Sequence, residues 1–285
     1  MGKYYFLIAG LLELSLDDSK VPVAVTQFRD EVYDALDGAD RKLMDLLLLE
    51  NDCRNLISLL RSGTVQGGET DMRPCLFGTE QLEELISCVK AQERCPSGIP
   101  QFMYDFVEEW QDESWHEVAE FPEDRLWGLF YDYALQCGND FVQDWYRFNL
   151  DLNNIQIAIT GRKFDLDVRR LFVGDNAITH ALRTSGARDW GLSQELSFWD
   201  DIMLLQEAQD LNDRERKTDM LRWKWLEQNS FFHYFTVERL FSYMVRLGMV
   251  ERWTSMDREQ GQKLFRKLIG ELKDQTEVPS EFRVN

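Results

Sequence analysis

The sequence predicts an all-helical protein, and three observations carry the prediction. Apolar residues recur at three- and four-residue spacing through most of the chain. No series of alternating β-branched runs separates them, which argues against a βαβ layout. Only six prolines and seventeen glycines punctuate the 285 residues, so long regular elements are expected.

The elements follow in order. The apolar run at 4–12 is too short to span a bilayer. It has the length of a secretory h-region, but Glu13 interrupts it and no small-residue cleavage site follows. Gly2 lacks the Ser or Thr that a myristoylation site wants at position six. The run therefore reads as a structured, buried segment. Helices are expected over 24–37, 39–50 and 52–61, and "SGTVQGGETDMRPCLFG" at 62–78 is the clearest loop. A helix over 79–92 opens where Thr79 precedes Glu80 and the stripe of Leu82, Leu85 and Ile86. One over 100–111 follows. Pro122 then stands where a first helical turn tolerates it, ahead of Leu126, Leu129 and Phe130 in a helix over 123–137. After a helix over 139–160, the stretch 161–189 reads as irregular. The last helices are expected over 190–211, 214–228, 233–247 and 257–273.

Hydrophobic residues make up 44% of the chain and charged residues 29%, the balance of a soluble globular protein. The net charge of −19, from 51 acidic and 32 basic residues, argues against a nucleic-acid binder. Phosphates would be repelled, and counterion release needs clustered Lys and Arg. An anionic lipid surface is disfavoured for the same reason. A protein partner with basic patches would be attracted and steered. Cys53, Cys75, Cys88, Cys95 and Cys137 lack C-x-x-C spacing, so reduced thiols in a cytoplasmic protein are expected, not a zinc site or a disulfide framework.

Two stretches resemble one another. With "DRKLMDLLLLENDCRNLISLL" (40–60) set beneath "NDFVQDWYRFNLDLNNIQIAI" (139–159), Asp45 meets Asp144, Asp52 meets Asp151 and Asn55 meets Asn154. Leu56, Leu59 and Leu60 meet Ile155, Ala158 and Ile159, and both helices are expected to stop near a glycine, Gly63 and Gly161. In each copy a D-x-x-N pair heads an apolar stripe. A carboxylate in a first helical turn can bond free backbone amides and oppose the helix dipole. An inward-facing Asn one turn later must find partners, because a buried unpaired amide is costly. The pair reads as a polar clamp that fixes the helix against its neighbour. With neither a His nor a second carboxylate at ligand spacing, metal binding or acid–base catalysis is the weaker reading. A third, decayed copy starts at Glu238, where "ERLFSYMVRLG" keeps the acid and Gly248 but has Phe241 in place of the Asn. Helical repeats stack because no unit covers its own apolar face.

Other constellations are thin. Glu113-x-x-His116 is half of a di-iron carboxylate pattern with no second motif, and a solvated helix face accounts for it better. "FWDDIMLLQEAQD" offers Asp200, Asp201, Glu207 and Asp210, but Leu204 stands where an Asp-rich magnesium helix needs its next carboxylate. Phosphate-binding glycine loops and the nucleophile elbow of hydrolases do not occur. No catalytic, cofactor-binding or metal residue is assigned, and no cofactor is expected. The aromatic segment "MLRWKWLEQNSFFHYFTVERLF" (220–241) reads first as core packing and second as a protein-binding surface. "GRKF" at 161–164 places two cations past a helix end, where the dipole favours them.

"FNLDLNNIQIAITGRKF", less closely "NDCRNLISLLRSG", and more loosely "TVERLFSYMVRLGMVERW" resemble the C-subunit family of V-type ATPases, known as the d-subunit family in vacuolar enzymes. "KYYFLIAGL" is similar to that family's tyrosine-rich first helix, with Gly10 where an arginine is usual. The whole chain looks like a bacterial branch found with V-type ATPase genes. The resemblance implies a funnel-like array of three repeated antiparallel helical units, approximately 1–110, 111–212 and 213–285, in a single domain. It implies a non-catalytic component on the cytoplasmic face of the membrane proteolipid ring, peripheral to the membrane and not inserted in it. There it would receive the central stalk and couple rotation to proton or other ion transport. Asp52, Asn55, Asp151, Asn154 and Glu238 would be the structural repeat motif. Two other readings stay open: a helical scaffold of another complex, and a helical metal-dependent enzyme using Asp200, Asp201 and Glu207.

Overall fold

The computed structural model describes residues 4–63 and 74–275, with side chains described as far as Met256. Helices account for its regular structure, and no strand occurs among the described residues. They are α1 (Tyr5–Ala9), α2 (Val25–Ala35), α3 (Gly38–Ser62), α4 (Thr79–Lys90), α5 (Gln101–Asp112), α6 (Pro122–Ala134), α7 (Asp140–Phe164), α8 (Ala177–Thr184), α9 (Trp199–Leu205), α10 (Leu211–Ser230) and α11 (Val237–Gln275).

Local chemistry sets most boundaries. The Asp37 side chain accepts from the amides of Ala39 and Asp40 and starts α3, and Gly63, at φ +69°, ends it in the left-handed conformation. Asn139 caps α7, Asn176 caps α8 and Asp210 caps α10 in the same way. Pro122 is the first residue of α6, as expected. Thr79 opens α4, but the preceding Gly78 is the cap position, and its amide donates to the Gln81 side chain at 3.0 Å.

Several boundaries differ from expectation. The segments 39–50 and 52–61 form one helix, because Asn51 and Asp52 turn their side chains to a neighbouring loop and do not break the backbone. The segments expected at 233–247 and 257–273 likewise join in one helix, α11, which starts at Val237 and not at 233. The stretch 161–189 contains α8, and 190–211 is helical only over α9 before α10 begins at Leu211. Of the loop expected at 62–78, residues 64–73 lie outside the described residues. The apolar start is not buried as a whole: Tyr4 is buried, whereas Tyr5 and Phe6 are exposed.

Sequence neighbours pack on one another, α4 on α5, α5 on α6, α6 on α7, α7 on α8, α9 on α10 and α10 on α11. Longer-range contacts close the structure, with α11 against α2 and α3, α3 against α6, and α7 against α10. The core is continuous through Met44, Leu56, Leu85, Phe106, Phe130 and Leu152. Tyr146 of α7 joins three helices there. Its ring meets Phe130 of α6 at 5.4 Å and Phe241 of α11 at 6.3 Å, both edge to face. No helix among the described residues is long and apolar enough to cross a membrane.

Candidate functional site: polar clamps and an exposed aromatic face

Asp52 and Asp151 lie in the middle of their helices, not in a first turn, so the expected bonding to their own helix starts does not occur. Those amides are already served by Asp37 and Asn139. The free donors come instead from the segment leading into the next helix, α4 or α8. Fully buried Asp52 accepts from the backbone amides of Leu76 and Phe77 at 2.9 and 3.1 Å, just ahead of α4. Asp151 accepts from the side-chain amide of Asn176 at 2.9 Å, and Asn176 in turn caps α8 through the Thr179 amide. Burial pushes both carboxyls up to about 6, against the hydrogen bonds they receive.

Asn154, 1% exposed, grips the same kind of segment from both sides. Its Nδ2 donates to the Val173 carbonyl and its Oδ1 accepts from the Val173 amide, each at 2.9 Å. Asn55 does not repeat this, and the expectation for it is corrected. It is half-buried, and the donor to the corresponding carbonyl is Asn51, whose Nδ2 lies 2.9 Å from the carbonyl of Pro74. Proline has no amide hydrogen, so the reciprocal bond made by Val173 cannot form in the first copy. The first clamp therefore uses the pair Asn51 and Asp52, and the second uses Asp151 and Asn154.

Three further expectations change. Gly161 does not stop α7, which runs on to Phe164 and ends at Asp165 in the left-handed conformation. Gly161 is a contact point, because a Cβ there would lie 2.6 and 2.7 Å from the methyls of Val168. Asp45 and Asp144 have unrelated roles: Asp45 accepts from the Tyr33 hydroxyl at 2.7 Å, and exposed Asp144 pairs with Arg147. Glu238 makes no clamp of the Asp52 type. It sits in the first turn of α11 and accepts from Asn139 Nδ2 at 2.7 Å, tying the start of α11 to the cap of α7. Burial opposes its ionisation, but hydrogen bonds from Thr236 and Asn139 outweigh that and hold its carboxyl below the usual range. Phe241, in place of an Asn, is fully buried against Phe141 and Tyr146.

A polar seam that sequence reasoning missed links α7, α10 and α11. Asp219 is buried in α10 and accepts from Arg252 and from Trp253 Nε1 (2.9 Å) of α11, and Arg222 lies 3.4 Å away. Arg222 also donates to Asn149 and Asn153 of α7, at 2.8 and 3.3 Å. The only available signal was an Asp placed among the apolar positions of α10, and such residues are common on solvated helix faces.

The carboxylates weighed for metal binding do not converge. Asp201 is paired with Lys224 at 2.7 Å, Asp200 and Glu207 are exposed, and no group of three potential ligands occurs among the described residues. Glu113 and His116 share no helix face, because Glu113 ends α5 at φ +62° and His116 lies in a short 3-10 turn. Of the cations in "GRKF", Arg162 stacks on Trp190 at 3.7 Å and donates to the carbonyls of Ala187 and Arg188.

The aromatic segment divides in two. Leu221, Trp223, Leu226, Leu240 and Phe241 are core, as the first reading expected. The turn between α10 and α11 instead exposes Phe231, Phe232 and Tyr234, at 62%, 79% and 60%. Helix α1 lies beside it: Tyr4 donates to the Phe235 carbonyl, Tyr5 packs on Phe235 at 4.8 Å, and Phe6 is 80% exposed. Aromatic rings are enriched at protein contact surfaces, the second reading given to this segment.

No curated protein matches the chain. Residues 1–276 match a family model described as "Protein of unknown function (DUF2764)", a match across nearly the whole sequence, and the chain belongs to that family.

Proposed function

We propose that the protein is a non-catalytic central-rotor component of a V/A-type ATPase, coupling the central stalk to the membrane proteolipid ring. The observation that carries this reading is the pair of clamps on α3 and α7. Asp52 and Asp151, Pro74 and Val173, and Phe77 and Asn176 each stand 99 residues apart, and each of these positions makes a clamp hydrogen bond. The correspondence supports an internal repeat and accompanies the resemblance of the same stretches to the C-subunit family of V-type ATPases. A coupling part transmits torque, so it needs stiff helices and fixed inter-helix angles. Helices of 25 residues, each about 37 Å long, with their return segments bonded to mid-helix carboxylates suit that task. In this reading the protein is cytoplasmic and meets the membrane only through the ring.

The test is affinity capture of the tagged chain from detergent-solubilised membranes at moderate salt. Co-recovery of the proteolipid ring with the central-stalk and nucleotide-binding proteins is expected. Recovery without any of them overturns the proposal. The exposed face of Tyr5, Phe6, Phe231, Phe232 and Tyr234 favours one alternative, a helical scaffold of another complex. Capture of a different, stoichiometric partner set would establish that instead.

A further inference from the structure

A pocket of about 230 Å³ lies between the C-terminal half of α7, α9 and the start of α10. Ile159, Ile202 and Leu205 give it apolar walls, and the exposed side chains of Phe164 and Leu211 form its rim. Its polar groups are mainly donors. Lys163 and Arg214 line it, and neither has a carboxylate within ion-pair distance among the described residues. Arg214 reaches only the Thr160 hydroxyl oxygen, at 3.1 Å, and that hydroxyl spends its own hydrogen on the Gln156 carbonyl. Asp210 lines the same pocket, but one of its oxygens accepts from the Asp213 amide at the start of α10, where the helix dipole offsets its charge.

Both cations border this one pocket, on a chain of net charge −19. Inorganic anions would satisfy the donors and leave the apolar walls wet. An uncharged hydrocarbon would do the opposite. We propose that this pocket binds a free carboxylate carried on an unbranched apolar chain, with the carboxylate held by Arg214 and Lys163 and the chain laid on Ile159, Ile202 and Leu205. The proposal is independent of the assembly reading.

The test is calorimetric titration of the full chain with decanoate below its micelle concentration, alongside decan-1-ol and inorganic phosphate. Single-site saturable binding of decanoate is expected, with both comparison ligands weaker by about tenfold or more, the loss that accompanies a missing charged hydrogen bond or a missing apolar contact. Arg214→Gln should weaken decanoate by a similar factor. Lys163 is exposed, so Lys163→Gln keeps the fold whatever Arg214→Gln does, and it should also weaken binding. Absence of saturable binding, equal affinity for decan-1-ol, or unchanged affinity in Lys163→Gln overturns the proposal.

Discussion

Replacing Asn154 by Leu separates the clamp from simple core packing. Leu shares Asn's branching and number of side-chain heavy atoms and suits a helix interior, but its methyls are bulkier, so the substitution removes the hydrogen bonding and adds some crowding. It strands two backbone groups, the amide and the carbonyl of Val173. Each buried orphan costs about 1–3 kcal/mol. Val173 is half-buried, so water reaches part of this site and the expected total is about 2–4 kcal/mol. For a chain of this size that corresponds to a fall in Tm of roughly 3–8 °C. Urea denaturation and calorimetry measure it, with Asn55→Leu as the internal control. Asn55 occupies the aligned position without the clamp bonds, and its replacement should stay within about 0.5 kcal/mol of wild type. Asn51→Leu should cost less than Asn154→Leu, since it frees one carbonyl and no amide. If Asn154→Leu and Asn55→Leu prove equal, the mid-helix clamp is not what fixes the 165–176 segment.

Three further outcomes follow from the same geometry. The Asp52 carboxyl is raised by burial to about 6, whereas in the unfolded chain it lies near 3.8. Between those values the folded state binds more protons, so this group's penalty is present above pH 6 and fades as pH falls toward 4. Stability measured at pH 7 and at pH 5 should therefore show wild type gaining about 1 kcal/mol relative to Asp52→Asn on acidification, and a relative loss would mean the Leu76 and Phe77 amides hold the carboxylate ionised. Gly161→Ala should destabilise by about 1–3 kcal/mol despite alanine's better helix propensity, since its Cβ meets Val168, and Val168→Ala should restore most of the loss in the double variant; a stabilised single variant would refute the contact. Asp219→Ala leaves the Trp253 indole N–H and the guanidiniums of Arg222 and Arg252 without their shared acceptor, so a loss of about 3 kcal/mol in urea unfolding is expected, and a change under about 1 kcal/mol would show that the seam contributes little.

The residues of this chain determined its class. Apolar spacing of three and four, sparse Pro and Gly, and start signals such as the Asp37 and Asn139 caps and Pro122 in a first turn act within a turn or two of backbone, and they settle where helices form. The inward placement of Asp52, Asp151 and Asn154 was legible for the same reason, since helical period alone puts them on a buried stripe. Their partners were not. Leu76, Phe77, Val173 and Asn176 lie 19 to 25 residues away across loops whose paths depend on packing. Helix period could not tell that Pro74 would remove a donor and pass the amide's role from Asn55 to Asn51, nor that Gly161 would be a contact with Val168 and not a terminus. The aromatic segment shows the same division. Its composition is uniform, yet Phe241 fills the core while Phe232, nine residues earlier, is exposed, because only the turn between α10 and α11 decides which rings find a neighbour to cover them. Local chemistry acts along the chain and is written there; burial is a relation between distant segments and exists only once they have met.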